Sequence, residues 1–308
     1  MKEIIIDIGD STRNEMRWLA FYRSLESKSI KKGNQVIIDF ENVTFIIPFC
    51  LLGLLAFIKS AFEVTQKKVK LKNIPLSPVI YQYMERADFF KYAKKYCVIV
   101  GDYTDVALWE RDKEAKKMYG IIEIEKDPIK SANKIAQTID ELQKRYKYIL
   151  DFFSTNHKNA NIFFTILSEI TANIPEHSNS TGYLLVQKWE SPTKGKIFTS
   201  LSIIDTGIGI RGRLERQIKT RKRKLPKNLH SDSDFLRYAF SEDGTRSGAG
   251  LHSVIRSLSE WNPNDTALLV LSGNGIMYKS QGSSDIEFTD EDQYFQGTHA
   301  TIWFYGDI

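Results

Sequence analysis

Along the first hundred residues, short runs of Ile and Val alternate with longer stretches whose apolar positions recur every three or four residues. The runs at 3–8, 35–40, 69–71 and Cys97–Val100 predict strands, because β-branched side chains fit a pleated surface. The stretches 14–25, 49–64 and 77–87 have a spacing nearer 3.6 and predict helices. Strands alternating with helices imply a small α/β domain over 1–105. From 106 to 127 the pattern weakens into charged, Tyr-containing sequence, which reads as a junction. Pro128 then opens a helix reaching about residue 153, proline being favoured in a first turn. A second helix is expected over 160–174. Strands follow near 183–189, 196–204, 266–271, 276–279 and 298–304. The second half, 128–308, therefore predicts helices first and a largely antiparallel sheet after them.

Composition narrows the class without naming a function. The chain has 308 residues, 42% hydrophobic and 26% charged, which excludes a disordered or fibrous protein. Two cysteines, Cys50 and Cys97, are too few for a disulfide framework or a thiolate zinc site. The longest apolar run, residues 45–58, is broken by Pro48 and Gly53 and is shorter than the roughly 18 residues that suggest a membrane span. The first ten residues carry acids among their apolar positions and no small-residue cleavage site. A cytoplasmic protein with no membrane segment is expected. The net charge of +5 conceals an asymmetry: 211–230 holds nine Lys and Arg against Glu215 alone, a net +8 that leaves the rest at −3.

Candidate chemistry lies in the second half. On the helix over 160–174, Thr165, Glu169 and Asn173 recur every four positions among Ile162, Phe163, Ile166, Leu167 and Ile170. That spacing puts Glu169 and Asn173 one turn apart on one face. Taken alone it fits a solvated stripe best, and the sharper alternative is a carboxylate and an amide oxygen serving a water and a hydrated cation. The strand near 196–204 ends in Asp205-Thr206-Gly207-Ile208-Gly209-Ile210. A glycine-rich stretch, Gly244-Thr245-Arg246-Ser247-Gly248-Ala249-Gly250-Leu251, runs into a helix from His252, and backbone N–H groups there suit phosphate. Gln296-Gly297-Thr298 precedes the last strand. Gly207, Gly209 and Gly212 also match a dinucleotide fingerprint, but no second apolar strand follows them within reach.

Glu169 with Asn173, Asp205 with Gly207 and Gly209, Gly248 with Gly250 and Leu251, and Gly297 with Thr298, in this order, resemble the GHKL ATPase superfamily. That superfamily includes gyrase, mismatch-repair ATPases, heat-shock chaperones, histidine kinases and anti-sigma-factor kinases. The resemblance covers 128–308 and implies a Bergerat-type α/β sandwich with a mixed, mostly antiparallel sheet and a pocket for ATP and Mg²⁺. It implies that Asn173 ligates Mg²⁺, that Glu169 orients or deprotonates the attacking water, and that Asp205 accepts the adenine amino proton with Thr298 nearby. Gly207, Gly209, Ile210, Gly248, Ala249, Gly250 and Leu251 would line the nucleotide. Residues 211–247 take the place of the lid, from which Arg246 or other arginines would meet the triphosphate. Pro175 cannot donate to the carbonyl of Thr171, so the helix should end or bend there. Glu176-His177-Ser178 looks most like the anti-sigma kinase subgroup.

The first half is similar to the STAS domain of anti-sigma-factor antagonists, through residues 36–45 and the apolar helix after them, then 69–75 and Arg86-Ala87-Asp88-Phe89-Phe90. Where the antagonists place a phosphorylatable serine, Ile47-Pro48-Phe49-Cys50 stands, with no hydroxyl. The combined expectation is an α/β protein in which an ATP-binding or ATP-hydrolysing switch is coupled to a STAS-like domain that meets a protein partner or a second copy of the chain. Alternatives are a serine/threonine protein kinase acting on a separate partner, and a scaffold that binds ATP without turnover. The 211–230 segment adds a nucleic-acid reading, expected to be weak and salt-sensitive because no aromatic residue there would stack on bases.

Overall fold

The computed structural model describes residues 2–26, 30–76, 80–101, 118–144, 157–175, 180–191, 195–221, 226–246, 251–261 and 265–307. The chain is mixed α/β with one parallel and one antiparallel sheet. It divides into two compact units, Met1–Ala115 and Lys116–Ile308.

The first unit carries β1 (Glu3–Asp7), β2 (Gln35–Asp39), β3 (Val69–Lys72) and β4 (Cys97–Val100), all parallel and ordered β1-β2-β3-β4. Between them run α1 (Glu15–Glu26), α2 (Pro48–Thr65), α3 (Ile80–Arg86) and α4 (Phe89–Ala93). Parallel neighbours in chain order, joined by right-handed crossovers, place the connecting helices on one face. The alternation in β1 agrees, with Ile4 and Ile6 buried while Ile5 is half exposed. Opposite Ile5 across the sheet come Ile37, then Lys70, then the exposed Val98.

Helix α2 is the core of this unit. Ile47 enters extended, Pro48 takes the first turn where no N–H is needed, and Gln66 ends the helix in the left-handed region with its N–H on the Phe62 carbonyl. Its apolar stretch passes the length and composition test for a membrane span, yet 78% of it is buried within the fold. The helix thus runs longer than the apolar run visible in the sequence, and it is buried as a core helix is. Both cysteines are free and buried, and burial pushes the Cys97 thiol up to about 12.

The second unit holds β5 (Met118–Ile124), β6 (Gly182–Ser191), β7 (Lys196–Asp205), β8 (Thr266–Lys279) and β9 (Glu287–Asp307), antiparallel and ordered β5-β6-β7-β9-β8. The stretch read as a junction, 106–127, therefore contributes an edge strand of this sheet. The two strands expected over 266–279 are one strand with irregular pairing between Ser272 and Gly275. The helical layer comprises α5 (Pro128–Lys144), α6 (His157–Asn173), α7 (Gly209–Arg221), α8 (Asp232–Ala239), α9 (Glu242–Arg246) and α10 (His252–Glu260). The expected continuation of α5 towards 153 lies outside the described residues. Helix α6 gives up its α-helical turn at Asn173 and widens into a π turn at Ile174 and Pro175, as the missing donor allows. Phe163 on α6 meets Phe304 on β9 at 5.3 Å, and Trp261 at the end of α10 meets the same ring at 4.8 Å. These rings tie the helices to the sheet and hold α6 over the ends of β7 and β9.

Candidate functional site

Between α6, the start of α7, α10 and the sheet lies a cleft. Its walls are mostly aliphatic: Ile170, Ile174, Ile203, Ile210, Leu251 and Val270 among them. The polar groups that break this surface are Asn173, Asp205, Arg213 and Thr298. Three of those four, with Gly209, Ile210 and Leu251, are residues singled out from the sequence.

Asp205 ends β7 and pairs in register with Thr298 on β9, so the two reach the cleft side by side. Asp205 is buried, 7% exposed, and its Oδ1 accepts the Gly207 N–H at 2.8 Å. That bond closes the turn after the strand, and a carboxylate keeps further lone pairs for a donor in the cleft. Gly209 has φ +68°, where a side chain is strained, and opens α7. Gly297 has φ +79°, and a Cβ there would overlap the Asp205 carbonyl oxygen. The motif glycines Gly207, Gly209 and Gly297 thus shape the turn between the strands.

Two residues hold this turn: Ser272, which the sequence did not mark, and Gln296 of the Gln296-Gly297-Thr298 stretch. Ser272, buried on β8, accepts the Ile210 N–H at 2.8 Å and donates to the Gly297 carbonyl at 3.0 Å. Gln296 donates to the carbonyls of Thr206 and Gly207. Register with Thr298 across β8 and β9 brings Ser272 there, and no local signal in the sequence marks it.

Asn173 faces the cleft from the last turn of α6, and its Nδ2 donates to the Glu169 carbonyl at 2.7 Å. Its Oδ1 accepts from Arg213 Nη1 at 2.7 Å. Arg213 is 6% exposed and belongs to the wall of the cleft. The oxygen that the resemblance gives to Mg²⁺ is therefore engaged by a permanent cation, and a divalent ion does not fit beside it in this arrangement. Among the described residues no group of three or more His, Cys, Asp and Glu could hold a metal. Glu169, one turn earlier and half-buried, is not among the described walls of the cleft.

The remaining sequence candidates divide by where they fall. Gly248, Ala249, Gly250 and His177 lie outside the described residues, and Arg246 closes α9 with its side chain outside them too. The segment expected to be a lid opens as α7, and its charge is partly committed. Arg211 pairs with Glu215 at 3.0 Å and with Asp232 at 3.2 Å, while Arg213 is turned inward. Among the described side chains of the helix, Arg216 and Lys219 are exposed cations, and Lys222, Arg223 and Lys224 lie outside the described residues. Strand β7 has antiparallel neighbours on both sides, which removes the dinucleotide-fold reading of its glycines. No family model and no curated protein matches the chain.

Proposed function

We propose that the second unit binds an adenine nucleotide in this cleft, and that the chain is an ATP-driven switch of the GHKL type acting in the cytoplasm. Its first, STAS-like unit conveys the nucleotide state to a protein partner. The observation that carries the reading is the placement of Asp205 and Thr298 in register on adjacent strands, at the wall of an otherwise aliphatic cleft. Apolar walls take a flat purine, and a carboxylate among them has lone pairs that can accept from the amino group of adenine. The opening of α7 beyond Gly209 adds backbone N–H groups on the same side.

In this reading Asp205 selects the base, Thr298 supports it through its hydroxyl, and Glu169 orients or deprotonates the attacking water. Hydrolysis and transfer to a protein hydroxyl need the same carboxylate, so labelled phosphate appearing on a partner protein would turn the switch into a protein kinase. Binding without any phosphate release would make it a scaffold. For the first unit, Pro48 opens the helix where antagonists carry serine, and Cys50 is buried, so Ile47-Pro48-Phe49-Cys50 offers no hydroxyl to accept phosphate.

The test of the base assignment is calorimetric titration with ADP and with inosine diphosphate, which replaces the amino donor by a carbonyl. An oxygen set against Asp205 removes the donor from the base and adds repulsion, a loss of about 1–3 kcal/mol. ADP should therefore bind about tenfold or more tightly than inosine diphosphate. Equal affinities would remove Asp205 from base recognition.

A further inference from the structure

Asn173 is held in one orientation by its neighbours. The Glu169 carbonyl can only accept and a guanidinium can only donate, so Nδ2 must face the carbonyl and Oδ1 must face Arg213. The contact at 2.7 Å is short, as charge-assisted hydrogen bonds are. A magnesium ion on the same oxygen would stand about 2 Å from it, bringing two cations within about 4 Å of each other. Guanidinium and metal therefore compete for one oxygen. Arg213 also carries the planar fork of donors that matches phosphate oxygens, and it lines the cleft from α7, which begins beside the Asp205 turn. It is a buried residue, so its charge lies inside the site and not in the solvent.

We infer that Arg213 takes the cation's place at Asn173, so that this cleft binds nucleoside di- or triphosphate with the guanidinium, in place of a divalent metal, beside the phosphates. The inference rests on the nucleotide reading above and adds to it the identity of the charge that meets the phosphates. It makes nucleotide affinity independent of divalent ions, and it makes Arg213 the reason.

The experiment measures ADP affinity of the full chain by calorimetry, once with excess MgCl₂ and once with EDTA, for the wild type, Arg213→Met and Arg213→Lys. The wild type should differ by less than about threefold between the two conditions. Arg213→Met should bind about tenfold or more weakly in EDTA and recover in part with Mg²⁺, because the freed Asn173 oxygen can then serve the metal. Arg213→Lys, which keeps the charge, should remain insensitive to EDTA. Thermal melting of each variant reports folding; if the methionine variant is unfolded, the wild type and the lysine variant decide. A wild type that loses about tenfold or more in EDTA, or a methionine variant that binds as the wild type does in both conditions, overturns the inference while leaving nucleotide binding intact. Absence of ADP binding in every arm overturns the nucleotide reading itself, and this inference with it.

Discussion

At the residue scale the site depends on a few polar groups in an aliphatic cleft, and their roles separate cleanly. Glu169 lies one turn before Asn173 and outside the described walls, so its removal should spare binding. Glu169→Ala should bind ADP as the wild type does and release phosphate from ATP about 10²–10⁴-fold more slowly, the usual contribution of a general base. Steady-state phosphate release checks it, and an unchanged rate would take Glu169 out of the chemistry. Next to Thr298 on β9, His299 is 4% exposed, and burial pushes its pKa down to about 3. The unfolded chain takes up the proton near pH 6.5 and the folded one does not. Stability from this residue is therefore complete above that value and declines as pH falls towards 3, at about 1.4 kcal/mol per pH unit. Urea unfolding at pH 7.5 and 5.5 should show that loss, and His299→Leu should flatten it. The polar stripe Glu169 and Asn173 was legible as spacing, whereas Arg213 stood in the sequence as one cation among nine. Only the fold shows that Arg213 points inward.

At the scale of elements, the strong periodicities were readable and the charged helix was not. Residues of β1, β2, β3 and β4 are short β-branched runs, and α2 is a long apolar one, so local preference and burial agree there. Helix α7 was hidden because Arg211, Arg213, Arg216, Lys219 and Arg221 crowd its pattern; among the described side chains, Ile210 and Leu214 are buried apolar ones. Its helical spacing shows in the Arg211–Glu215 pair and in Ile210 with Leu214, each one turn apart. Helix α8 starts with a capping box, Ser231 accepting from the Asp234 N–H while Asp234 accepts from the Ser231 N–H. Ser231→Ala should lower the unfolding free energy by about 1 kcal/mol, the usual worth of such a cap, measured by urea titration. A change near zero would show that Asp234 alone holds the helix start. The strand β5 escaped notice because Met118–Ile124 mixes Tyr, Gly and Glu into its apolar residues, and pairing with β6 makes it a strand.

At the scale of the whole molecule, every described wall of the cleft lies in Lys116–Ile308. A fragment of residues 116–308 should therefore bind ADP with the affinity of the full chain, within about threefold by calorimetry. A fragment that is folded by circular dichroism yet does not bind would show that the first unit completes the site. Two α/β halves, a largely antiparallel sheet in the second, and the order of the polar motifs could be derived from the amino-acid sequence by itself, because hydrophobic period and turn chemistry act over a few residues. The boundary between the halves could not, since β5 becomes part of a sheet only when β6 returns beside it from 58 residues or more away. The same holds within the site. The pairing of Asp205 with Thr298, the knot of Ser272 with Ile210 and Gly297, and the bond from Arg213 to Asn173 join residues 25 or more positions apart. Local spacing carries no information about such partners. Sheet register and helix packing decide them, and they settle which charge stands at the oxygen of Asn173.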